Sequence, residues 1–221
     1  MNIKKVDFPE NCFVKEITEK KQIVLHHTVS GSGVEGDIAW WKQMKERVAT
    51  HYIIDREGVI HQLFDDKYWA FHLGIKPEVF TKNGVSYRYL DKQSIGIELD
   101  NWGPVLPKDE KFYPVKTESG KYVPNTACKP VEYIYEYCTK APWRNIQYWE
   151  RYTDKQLAAL KELLQMLCTK HNIPKTYNAD IWDVSRRALM GEAGIFCHVS
   201  YRNDKSDPHP QIELVNMLKS L

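Results

Sequence analysis

The chain has 221 residues, 43% of them hydrophobic and 27% charged, with a formal net charge of +2. That length can bury a core without disulfides, so one α/β domain over residues 1–221 and a monomer are expected. The small charge and the lack of long basic runs argue against nucleic acid, and no stretch reaches the roughly 18 apolar residues that span a bilayer.

The start, MNIKKVDFPENCF, has no apolar run after its lysines, so no secretory signal is read there. The five cysteines are odd in number and form no C-x-x-C pair, which suits a reducing, cytoplasmic setting. Next, QIVLHHT at 22–28 reads as a buried strand ending in two histidines. After the SGSG loop, Ile38, Trp41, Met44 and Val48 recur at helical spacing, predicting a helix over 35–48. THYIID and VIHQL flank Arg56-Glu57-Gly58 and predict a β-hairpin over 50–63.

SIGIELD at 94–100 is a further strand, with Ile95, Ile97 and Leu99 on one face and Ser94, Gly96 and Glu98 on the other. The small Ser and Gly leave open space beside Glu98. From 103 to 152 the pattern dissolves among prolines 104, 107, 114, 124, 130 and 142, and a long excursion from the core is expected. A helix then begins at Thr153 with a capping box to Gln156, carries a leucine stripe, and stops near His171-Asn172. Helices around 182–190 and 210–220 close the chain. Strands separated by helices imply a mixed central sheet with helices covering it.

Chemistry concentrates in GIFCHVSYRNDKSDPHPQ, 194–211, which holds His198, Lys205 and Asp207. A catalytic zinc takes three protein ligands and leaves a fourth position open. His198 and Asp207 supply two, and the His-His pair ending the first strand is the natural source of the third. Successive strand residues face opposite ways, so one of His26 and His27 can reach the metal.

IVLHHT, THYIIDREGVIHQL, WAFHLG, SIGIELDNWG and H-x6-K-x-D-P-x-P together resemble the zinc-dependent N-acetylmuramoyl-L-alanine amidases of the type 2 family. That family includes phage lysins and anhydro-muropeptide amidases and shares its fold with peptidoglycan-recognition proteins. The resemblance covers residues 22–102 and 153–211 and makes 103–152 an insertion. It implies Zn2+ held by His26, His198 and Asp207, Glu98 as general base, and Lys205 as a catalytic cation. It also places His72 in the cleft, touching substrate. A tyrosine that matters in some phage members is replaced here by Thr50, which leaves its role to Glu98.

The other histidines have plainer readings: His27 and His51 as packed or supporting residues, His61 and His209 as surface residues, and Cys197 as core. The resemblance implies hydrolysis of the amide between N-acetylmuramic acid and L-alanine in peptidoglycan. A phage lysin, held in the host cytoplasm before release to the wall, is expected. The alternatives are a cytoplasmic enzyme recycling muropeptides, a non-catalytic peptidoglycan-binding module, and a zinc peptidase cutting within the stem peptide.

Overall fold

The structure, a computed structural model, describes residues 1–31, 33–75, 87–131, 134–136 and 143–221. One sheet contains β1 (Ile3–Lys5), β2 (Gln22–His27), β3 (Tyr52–Ile54), β4 (Ile60–Gln62) and β5 (Ser94–Leu99). A second contains β6 (Pro104–Lys108), β7 (Lys111–Glu118), β8 (Lys121–Pro124), β9 (Ile134–Glu136) and β10 (Tyr148–Glu150), while β11 (Gly194–Cys197) returns to the first. The first sheet runs β1-β4-β3-β5-β2-β11. Its pairings are parallel except for the β3–β4 hairpin.

β2 and β5 are buried along their whole length, as parallel strands covered on both faces must be. Ile23, Leu25, Ile95, Ile97 and Leu99 pack against Leu157, Leu160, Leu164 and Leu167 of the helix Asp154–His171. That helix begins as the sequence predicts: Thr153 Oγ1 accepts the Gln156 N–H, and the Gln156 side chain accepts the Thr153 N–H. It ends where Asn172 turns left-handed at φ 54°. Each fully buried leucine of the stripe contributes about 1.5–3 kcal/mol. On the other side, the helix Val34–Gln43 packs Val34, Ile38 and Trp41 against Ile53, Leu63 and Phe64. It is shorter than the 35–48 expected, because Met44 is already extended and Val48 pairs with Phe71 as an isolated bridge.

The turn between β3 and β4 needs glycine. Gly58 has φ +81°, and a Cβ there would lie 2.7 Å from the Lys155 carbonyl oxygen.

The excursion 103–152 is a correction, for it folds as an antiparallel sheet in the order β8-β7-β6-β10-β9. Its hairpins turn at Asp109-Glu110 and Ser119-Gly120, all at positive φ. The prolines are accommodated where a strand has a neighbour on one side: Pro107 pairs with β7 beyond the reach of β10, and Pro114 pairs with β6 just before β8 begins. Pro142 lies outside the described residues. The sheet joins the first at a buried ionic knot, where Arg56 contacts Asp100 at 2.6 Å and Glu150 at 2.9 Å.

Candidate active site

Parallel pairing brings the site together. The β2–β5 register sets His26 beside Glu98, and β11 runs alongside β2 with Cys197 opposite Leu25. The chain then turns through a 3-10 segment, His198–Ser200, so His198 stands at the same carboxyl edge as His26. Ser200 fixes that turn by accepting the Cys197 N–H and donating to the Ile181 carbonyl. Asp207 is anchored by its backbone carbonyl, which accepts the Val199 N–H.

The His198 and His26 Nδ1 atoms lie 2.9 and 3.3 Å from Asp207 Oδ2. Each residue offers one ligand atom, the three lie within 4.8 Å of one another, and all three residues are buried. Tetrahedral Zn–N and Zn–O bonds would set ligand atoms about 3.4 Å apart, so this donor set fits a zinc-sized cation. Chemistry favours the fit too. With both outer imidazole nitrogens engaged elsewhere, two nitrogen lone pairs and a carboxylate converge on one point. Burial, then the neighbouring His198, pushes His26 down to about 4. Burial alone would raise Asp207, but a proton on the His198 or His26 Nδ1 outweighs it and holds the carboxylate well below its usual range, a place that a bound cation would take over.

Glu98 sits on the same strand edge, 9% exposed, and its Oε2 is buried without a hydrogen-bond partner among the described residues. Burial, then the charges of Asp207 and Asp37, push its carboxyl well above the usual range. A carboxyl poised upward in this way suits proton transfer near neutral pH. Lys205 lies on the wall of the same cleft, which holds about 350 Å³ and is flanked by Trp41, Thr50 and Phe71. The Thr50 hydroxyl donates inward to the Tyr52 carbonyl at 3.2 Å.

His72 also reaches the cleft wall, but both its ring nitrogens are engaged, with His26 Nε2 at 3.0 Å and Ser94 Oγ at 2.9 Å. The space expected over Ser94 and Gly96 is therefore occupied. A Cβ on Gly96 would lie 2.8 Å from Thr50 Cγ2 and 3.1 Å from His72 Nδ1. Asp91, which sequence patterning does not single out, accepts the backbone N–H groups of His72 and Leu73.

His27 faces the opposite side of the sheet, where its Nδ1 meets the Tyr152 hydroxyl at 2.8 Å. His51 binds the Gly96 N–H through Nδ1 and the Tyr68 carbonyl through Nε2. Two surface expectations are corrected. His209 is fully buried, stacked on Trp149 and Tyr152 from the stretch that sequence patterning left without structure. His61 is 5% exposed because Asp55, at the hairpin turn, reaches its Nε2 at 3.0 Å. Cys197 is core, as expected.

Solved structures share this architecture across nearly the whole chain. PlyL is similar with a TM-score of 0.54 and 15% identity, covering 99% of this chain and 98% of that one. The catalytic domain of XlyA has a TM-score of 0.54 and 14% identity, covering 100% and 98%. A mutant endolysin from Bacillus subtilis has a TM-score of 0.53 and 15% identity, covering 100% and 97%. At such identities the likeness is one of fold. No curated protein sequence matches the chain. Residues 18–210, which span β2 to the loop beyond Asp207, match the sequence profile described as N-acetylmuramoyl-L-alanine amidase. That match takes in most of the chain and every residue of the cleft named above, and the chain belongs to the N-acetylmuramoyl-L-alanine amidase family.

Proposed function

We propose that the chain is a zinc-dependent hydrolase that cuts the amide between N-acetylmuramic acid and L-alanine in peptidoglycan. The observation that carries this reading is the convergence of His26, His198 and Asp207 beside a buried Glu98, whose Oε2 has no partner among the described residues, in a chain of this family. When bound, the ion would polarise the scissile carbonyl and acidify the attacking water.

The chain's own groups supply the rest. Glu98 Oε2, with no hydrogen bond to hold it, takes the water's proton and returns it to the leaving amine of L-alanine. The Lys205 ammonium faces the negative charge that develops on the carbonyl oxygen. Trp41 and Phe71 give the cleft apolar walls that strengthen both interactions by excluding water.

A lytic, phage-type role is the biological reading, with the protein acting as a monomer from the host cytoplasm once it gains access to the wall. Its support is the fold shared with an endolysin, together with the cysteine pattern. No helix among the described residues is long and apolar enough to cross a membrane.

The test is mass spectrometry of purified peptidoglycan digested with and without a zinc chelator. Chelator-sensitive release of stem peptides with a free L-alanine amine is the expected result. Cleavage between stem residues would make the enzyme a peptidase. Wall binding without cleavage would make it a binding module.

A further inference from the structure

We propose that the dipeptide His72-Leu73, pinned by Asp91, sets the proton positions of both metal-binding histidines, so that His72 is a positioning residue rather than a substrate contact. This rests on reading His26, His198 and Asp207 as the metal ligands.

The assignment starts from Ser94, whose hydroxyl has one proton. Its Oγ lies 2.7 Å from the Leu90 carbonyl oxygen, which can only accept, so the hydroxyl donates there. Towards His72 Nε2, at 2.9 Å, Ser94 Oγ must therefore accept, which puts the His72 proton on Nε2. The ring's contacts are Ser94 Oγ and His26 Nε2, and no carboxylate lies against it among the described residues, so this buried ring is neutral and Nδ1 is a lone pair. His26 Nε2, at 3.0 Å from it, must donate. His26 Nδ1 is then bare and points towards Asp207 Oδ2.

The second histidine is fixed by the next residue along. His198 Nε2 lies 3.0 Å from the Leu73 carbonyl oxygen, again an acceptor with no proton to give. Its Nε2 therefore carries a proton, and in the neutral ring that a metal ion requires, Nδ1 is the bare nitrogen on the Asp207 side. With the opposite tautomer, either ring would present an N–H to the cation instead of a lone pair.

One carboxylate steadies both arms. Asp91 Oδ1 accepts the His72 N–H at 2.9 Å and the Leu73 N–H at 3.1 Å. Asp91, Leu90 and Ser94 all lie where the helix Tyr87–Gln93 passes into β5. Asp91, Ser94 and His72 are each less than one-tenth exposed, so water does not compete for these bonds. Gly96 leaves room for the His72 ring.

The experiment is nitrogen-15 NMR of the histidine rings in the zinc-loaded protein, paired with zinc affinities from competition against a chelating dye. The expected spectrum shows His72 protonated at Nε2 and a through-hydrogen-bond nitrogen–nitrogen coupling between His26 Nε2 and His72 Nδ1. A His72 ring protonated at Nδ1 would overturn the proposal. In the affinity arm, His72→Leu should bind Zn2+ roughly 10–100-fold more weakly. His72→Gln, whose amide can both accept and donate, should recover most of that loss. Wild-type affinity in His72→Leu, with cleavage lost, would return His72 to substrate contact and sink the proposal. Should that variant fail to fold, the wild-type spectrum still decides. These readouts do not involve the scissile bond, so correct tautomers in a protein that cuts no amide would leave this inference standing and remove the proposed activity alone.

Discussion

The two sheets of this molecule are built on opposite terms. In the first, β2 and β5 are parallel neighbours buried over all six residues each, and their carboxyl ends finish together. In the second, β7 and β8 are antiparallel and bury a single residue, Pro114, between them. Every residue proposed as a metal ligand, base or catalytic cation stands on the first sheet or in the segment after β11. Parallel strands that end in register gather side chains from distant parts of the sequence at one edge, which is why ligands settle there in such folds. Antiparallel hairpins return each strand beside its predecessor and collect local neighbours instead. The second sheet meets the first through polar ties, Arg56 to Glu150 and Asn101 to the Glu150 carbonyl, and through the buried Trp149, whose ring lies against His27.

Substitutions in the first sheet's edge should have the largest effects. His26→Ala and Asp207→Ala should lose zinc and amidase activity together, checked by metal content and muropeptide release on the same sample. Stoichiometric zinc in Asp207→Ala would remove that residue from the centre. Glu98→Ala should keep zinc and lose about 10²–10⁴-fold in turnover, and full activity would end its role as base. Lys205→Ala should cost on the order of a hundredfold in rate, since oxyanion donors contribute about 2.7–4 kcal/mol.

The junction comes next. Arg56→Ala leaves Asp100 and Glu150 buried without their cation and should lower stability by about 3 kcal/mol in urea unfolding. A change near zero would mean that the second sheet unfolds on its own and the ionic knot holds nothing.

The most gradual effect concerns acid. Burial, reinforced by the charge of Lys20, pushes His51 down to about 3. The unfolded chain takes up that proton near 6.5, well before the folded one does. His51 therefore contributes stability that is complete above about pH 6.5 and is lost as pH falls towards 3. The slope is at most about 1.4 kcal/mol per pH unit. Urea midpoints of wild type and His51→Gln should converge on acidification, and parallel curves would exclude it as a proton-linked group.

The sequence discloses these regions unequally, for physical reasons. β2, β5 and the helix Asp154–His171 each carry an apolar period with a turn or cap beside it, and all three are found where the pattern puts them. That His26, Glu98, His198 and Asp207 converge is legible because sequence motifs flank them, on β2 and β5 and in the segment after β11. The second sheet is hidden by its prolines, which read as loop because a single sequence does not show which strand edge is unpaired. The Asp109-Glu110 and Ser119-Gly120 turns were the available signal. His72 was located but its partners were not, since its bonds to His26 and Ser94 depend on how distant strands stack. Asp91 carries no signal of its own in the sequence, and its place follows only from the fold that encloses it.

The second sheet enters and leaves through one doorway. Pro104 pairs with Trp149, and the Glu150 N–H bonds the Gly103 carbonyl at 2.9 Å. A segment whose two ends already meet can be exchanged without moving its host. Trp149 marks the limit, because it is fully buried and stacks on His209, two residues past Asp207. Cutting between Val105 and Tyr148 would spare that stack and make the sheet a cassette. Other folded modules could then be grafted a few residues from the cleft, with the edge that carries His26 and Glu98 left as it stands.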